Sequence, residues 1–89
     1  MQDKKSDKKK IILQALAKTM KELRGNQSQF MLASENDISI SIISSAERGL
    51  KDPQLTTLFK LAEAYDIELD AFISKIIKNL PNNFFLIEK

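Results

Sequence analysis

Residues 28–49 read SQFMLASENDISISIISSAERG, and this stretch decides the fold. Ser28 is of the residue type that caps helix starts, its oxygen accepting from a free backbone N–H of the first turn. Phe30, Met31, Leu32 and Ala33 follow as a short apolar patch, which predicts a helix over about 28–35. Asn36-Asp37 is a turn pair, because both residues tolerate the left-handed backbone better than most. Ser39 is a second capping residue. Ile42, Ile43 and Ala46 stand three, four and seven residues beyond it, and Gly49 closes the segment near 48. Ile40, Ile42 and Ile43 are β-branched and by propensity alone would suit a strand. The capped borders and the short turns on either side favour a helix over 39–48. Two short helices joined by a tight turn pack their inner faces on a core. They leave one face of the second helix outward, of a size to enter a DNA major groove.

Working outward, the periodicity continues. Upstream, Ile12, Leu13, Leu16, Ala17, Met20 and Leu23 recur in steps of three and four, one face of a helix over Lys9–Arg24. Arg24-Gly25 ends it with a cation in the last turn and a glycine free to turn left-handed. Downstream, Asp52-Pro53 breaks the chain. Leu55, Leu58, Phe59, Ala62 and Tyr65 trace a fourth helix, about 54–65. Leu69, Phe72, Ile73, Ile76 and Ile77 trace a fifth, about 68–79, stopped by Leu80-Pro81. There is no internal repeat. The expected organisation is a basic N-terminal arm over 1–9, an all-α five-helix domain over 10–80 and a short apolar C-terminal tail over 81–89. The tail holds Phe84, Phe85, Leu86 and Ile87. It suits a strand added across a dimer, a return onto helix one, or completion of the core within one chain.

Composition narrows the chemistry. The 89 residues contain no cysteine and no histidine, which removes disulfides, thiolate sites and any imidazole base or ligand. Carboxylates such as Glu68 and Asp70 read as solvated surface, and no glycine-rich loop accompanies them. An enzyme is not expected, nor a cofactor, a metal or a small-molecule ligand. No apolar run approaches the ~18 residues of a membrane span. MQDKKSDKKK before IILQALA imitates a secretion signal, but Lys18 interrupts the apolar stretch and the pattern continues amphipathically. A cytoplasmic location is expected, and the absence of cysteine suits it. Net charge is +2, of which residues 1–10 hold five lysines against two aspartates, leaving the other residues at −1. A nucleic-acid domain normally presents a basic surface. Here the positive charge must be placed locally or come from the arm, with Lys21, Arg48 and Lys51 as the other candidates for phosphate contact.

Three pieces, in order and spacing, carry a resemblance. They are SQ followed by LA at Ser28–Ala33, ERG at Glu47–Gly49, and Pro53-x-Leu55-x-Thr57-Leu58-x-Lys60-Leu61-Ala62. Over roughly residues 12–75 the chain resembles the Cro/CI-type (Xre-like) helix-turn-helix regulators of bacteria and phages. The resemblance implies a five-helix, phage-repressor-like domain whose third helix reads DNA. Gln29 matches a glutamine that contacts phosphate and buttresses the reader. Ile40, Ser41 and Ser45 occupy positions that face base edges. Ser28, Ser44, Arg48 and Lys51 fall near positions that touch the DNA backbone, and Ser39 completes the candidate set. Arg24 resembles the family's helix-one arginine, which pairs with the glutamate matched by Glu47.

The departures are specific. The turn between helices one and two is about two residues shorter than the usual pattern, and Asp37 stands where the family has glycine. The reading helix offers isoleucine and serine where the family favours Gln, Arg, Asn or Lys. A serine hydroxyl both donates and accepts, so it discriminates bases weakly, whereas bidentate pairs are worth ~1–3 kcal/mol each. Ile40 suits a thymine methyl, and further specificity would come from water bridges and DNA shape. The expected function is a sequence-specific transcriptional regulator, a repressor or controller binding double-stranded DNA as a homodimer. The competing expectation is a protein-interaction module or antitoxin-type partner that keeps the fold with weak or no DNA binding.

Overall fold

The computed structural model describes residues 4–87. Its five helices are α1 (Lys4–Arg24), α2 (Gln29–Asn36), α3 (Ile40–Glu47), α4 (Leu55–Ala64) and α5 (Leu69–Lys78). Helices α2 to α5 fall within one residue of each predicted end. At α2 and α3 the reason is visible: Ser28 and Ser39 stand outside the helices as extended caps. Ser28 Oγ accepts from Met31 N at 3.0 Å, and Ser39 Oγ accepts from Ser41 N at 3.2 Å.

Three helices end by the same device. Ile38 N donates to Ala33 O at 3.2 Å, Leu50 N to Ser45 O at 3.0 Å, and Ile67 N to Ala62 O at 3.0 Å. Each bond spans a residue with positive φ, respectively Asp37 (53°), Gly49 (72°) and Asp66 (60°). This is the Schellman closure, in which a left-handed residue lets the next N–H reach back to an orphan carbonyl. Asp37 therefore does fill the glycine position of the turn between α2 and α3. Ile38 and Ile67, the residues after the turn, return to the core.

The core is built where α1 meets α3 and α5, α2 meets α3, and α4 meets α5. Leu16, Met20, Leu32, Ile43, Ala46, Leu61 and Phe72 lie in it, almost without solvent exposure. Tyr65 and Phe72 meet edge to face with ring centroids 5.7 Å apart. Helix α5 is tied to α1 by Asn79, whose Nδ2 donates to Thr19 Oγ1 at 2.8 Å and to Glu22 Oε1 at 3.2 Å.

Two expectations change. Helix α1 begins at Lys4, five residues ahead of Lys9, so residues 4–9 of the expected arm are helical. No glycine or proline interrupts that stretch, lysine is a good helix former, and Asp7 complements the positive end of the helix dipole. Residues 1–3 of the arm and 88–89 of the tail lie outside the described residues. The described tail forms no strand. It turns at Asn83 (φ 60°) and, with Lys8 and Ile11 of α1, walls a groove of about 740 Å³, which matches the return onto helix one. A lone segment of this kind has no neighbouring strand among the described residues to pair with.

Candidate nucleic-acid interface

Helix α3 has two faces. Ile43, Ala46 and Glu47 are buried, and Ile42 packs at the edge of the core. Ser41, Ser45 and Arg48 lie on the opposite side with Ser44 at its flank, and Ile40, at the N-terminal end, stands at the border with the Glu47 side. Ile40, Ser41 and Arg48 are exposed, while Ser44 and Ser45 are half-buried. The five residues expected on the reading helix thus all reach solvent, Ser44 and Ser45 only in part. Ser28 and Gln29 lie at the start of α2, Ser39 caps the start of α3, and Lys51 is exposed on the loop after α3.

The C-terminal end of α3 is locked by charge. Arg24 Nε donates to Glu47 Oε2 at 2.7 Å and Arg24 Nη2 to Glu47 Oε1 at 2.8 Å, a bidentate fork. The Glu47 side chain is 2% exposed and that of Arg24 20%. Arg24 Nη1 also donates to Gln27 O at 2.7 Å, so the same guanidinium closes the shortened turn between α1 and α2. Gln29 Nε2 donates to Glu47 Oε1 at 2.9 Å. Burial alone would raise the Glu47 carboxyl. The hydrogen bonds from Arg24 and Gln29, with the charges of Arg24 and Lys21, outweigh burial and hold it below the usual carboxylate range. The Arg24 guanidinium is raised in turn, chiefly by its bond to Glu47. The Arg24–Glu47 pair expected from motif position is therefore present, and Gln29 braces it. One Gln29 amide hydrogen is engaged there.

Around this lock the positive charge gathers. Lys18, Lys21, Arg24, Gln29 and Arg48 line a groove of about 730 Å³ where α1 faces α2 and the end of α3. Glu47 lies in the same groove, but Arg24 neutralises it; Glu22 is the other carboxylate. Four of the nine cations beyond residue 10, Arg24 among them, thus stand around the C-terminal end of α3. Lys18 was not among the expected phosphate contacts. Its sequence signal is its spacing of three from Lys21 on the exposed side of α1, which becomes meaningful only once α3 is seen to pack against that helix. Lys51 does not line this groove. Lys9 Nζ stands 3.6 Å from Asp52 Oδ2, an exposed pair beside Lys51 that joins α1 to the α3–α4 loop.

The start of α3 differs. Ser39 Oγ lies 3.0 Å from Ser41 Oγ, so the two hydroxyls at the tip meet each other. Beside them Phe30, Ala33, Ile38 and Ile40 face a cleft of about 390 Å³ between α2 and α3. In the sequence Phe30 reads as part of the apolar patch of helix two, not as a site residue. It is 66% exposed.

A family model described as a helix-turn-helix matches residues 20–72, from the last turns of α1 through the first turn of α5. No curated protein and no solved structure matches the chain.

Proposed function

The chain belongs to the Cro/CI-type helix-turn-helix family of DNA-binding transcription regulators, and from that premise we propose that it is a sequence-specific repressor or controller. In this reading a homodimer lays α3 in the major groove of double-stranded DNA. The observation that carries it is the pairing of two features on one helix. Ile40, Ser41 and Arg48 are exposed on it, with Ser44 and Ser45 exposed in part, and the inward face is fixed by Glu47 to Arg24 and Gln29. A helix fixed in this way presents its outer residues in one orientation, as base reading requires. Ser28, Gln29, Arg48 and Lys51 take phosphates, joined by Lys18 and Lys21 from α1. Ser39 holds the tip of α3 in register.

A dimer doubles the phosphate contacts and sets two half-sites about one helical turn apart. Its surface is assigned to the exposed apolar side chains Ile77, Phe85, Leu86 and Ile87 of α5 and the tail. Leu55 and Phe59, four residues apart on α4 and both exposed, are the competing surface.

Selection from a pool of random duplexes at two salt concentrations tests the function. A two-fold symmetric site, with affinity falling steeply as salt rises, is the expected result. Failure to enrich any sequence, with no salt-sensitive binding, sinks it. One observation favours a second reading, a protein-interaction module: Phe30, Met31 and Ile40 expose hydrocarbon beside the reading face. That reading takes over if the selection fails.

A further inference from the structure

The tip of the reading helix ends in hydrocarbon rather than in hydrogen-bonding groups. Ile40 is the first residue of α3 and is 45% exposed. The first residues of a helix lying in the major groove come nearest the base edges. Ile40 brings no donor and no acceptor to them. Of the polar groups nearby, Ser39 Oγ accepts from Ser41 N and meets Ser41 Oγ, and Ser34 Oγ donates to Met31 O; Asp37 is the one carboxylate that lines the cleft. Along one side of α2 the exposed Phe30 continues the apolar surface, and the buried Ala33 and Ile38 line the cleft that it shares with Ile40. In the major groove the apolar feature of a base pair is the methyl group on C5 of a pyrimidine.

We propose that Ile40, flanked by Phe30, reads a pyrimidine C5 methyl group. This rests on the reading of α3 as the major-groove helix. Thymine and 5-methylcytosine carry the same methyl at the same place, so either can supply it. Phe30 acts from the flank, keeping water from the side of Ile40 that faces the cleft. Removing one methyl from such a contact lowers affinity about fourfold, the equivalent of the ~0.8 kcal/mol of one buried CH₂.

The experiment starts from the duplex enriched by selection and replaces each thymine, one at a time, by uracil, which differs only in lacking the methyl. The expected result is a loss of about fourfold at the position facing Ile40, with the salt dependence unchanged. Ile40→Ser should bind thymine and uracil duplexes equally, and Phe30→Ala should narrow the difference. Ile40 is exposed, so thermal unfolding of Ile40→Ser should match the parent and exclude misfolding as the cause. A second arm places cytosine or 5-methylcytosine at the same position. A gain for 5-methylcytosine assigns the methyl whatever its source; no gain assigns thymine alone. Equal binding of thymine and uracil at every position overturns the proposal, as does discrimination that survives in Ile40→Ser. A chain that binds no duplex overturns the regulator reading itself, whereas one that binds and ignores the methyl overturns this inference alone.

Discussion

The two ends of α3 are held in opposite ways. At the C-terminal end Glu47 is buried and accepts three hydrogen bonds from Arg24 and Gln29, residues of α1 and α2. At the N-terminal end Ile40 and Ser41 stand in solvent, and the local cap from Ser39 closes the first turn. A buried ion pair contributes little net stability, because desolvation offsets much of the attraction. What it supplies here is direction: both oxygens of Glu47 are occupied, so α3 has one favourable angle against α1. The tip bears no such constraint, and its side chains can change with little cost to folding. The helix thus separates the residues that aim it from the residues that would read.

Arg24→Ala is the largest perturbation of the anchored end. It leaves a buried carboxylate unpaired and should destabilise the domain by about 3–5 kcal/mol in denaturant unfolding. Lys21→Ala on the same helix, being exposed, should change stability by no more than about 0.5 kcal/mol. An Arg24→Ala loss under about 1 kcal/mol would show that Glu47 is not constrained as described.

The same end should give the fold its acid sensitivity. The Glu47 carboxyl lies lower in the folded chain than its ordinary 4.5. Its contribution is therefore complete above that value and lost as pH falls through the lower folded value. Unfolding measured from pH 6 down to pH 2 should show this decline, and Glu47→Gln should flatten it. A parent profile that Glu47→Gln leaves unchanged would assign the sensitivity to other carboxylates.

At the free end the effects shrink. Ser39→Ala removes one side-chain cap and should cost about 1 kcal/mol. A much larger cost would mean that the tip is anchored too. Ile40→Ser should alter stability by less than about 0.5 kcal/mol, since the side chain is half in solvent. A substantial loss there would erase the contrast between the two ends.

Much of this was legible from local rules. Helix periodicity, the serine caps and the left-handed Asp37 depend on residues three to five apart, and all are found as read. The second left-handed aspartate, Asp66, escaped notice because Tyr65-Asp66-Ile67 carries no glycine or asparagine to mark a turn. Residues 4–9 looked like an arm because charge runs suggest solvated chain, yet lysines extend a helix that an apolar stripe has already nucleated. The apolar tail suggested a strand because its residues favour one in isolation.

The sequence by itself determined which segments are helices, where they stop, and, through the motif, that Arg24 would meet Glu47. These follow from short-range geometry or from a pattern that spans the domain. Tertiary structure alone decided that Lys18 and Lys21 would join Arg48 beside one groove, and that Gln29 would turn an amide hydrogen to Glu47. It also decided that Phe30 would share a cleft with Ile40. Each of these depends on how α1, α2 and α3 cross. That angle is set by the shape of the packed core and the fork between Arg24 and Glu47, which no local window of sequence contains.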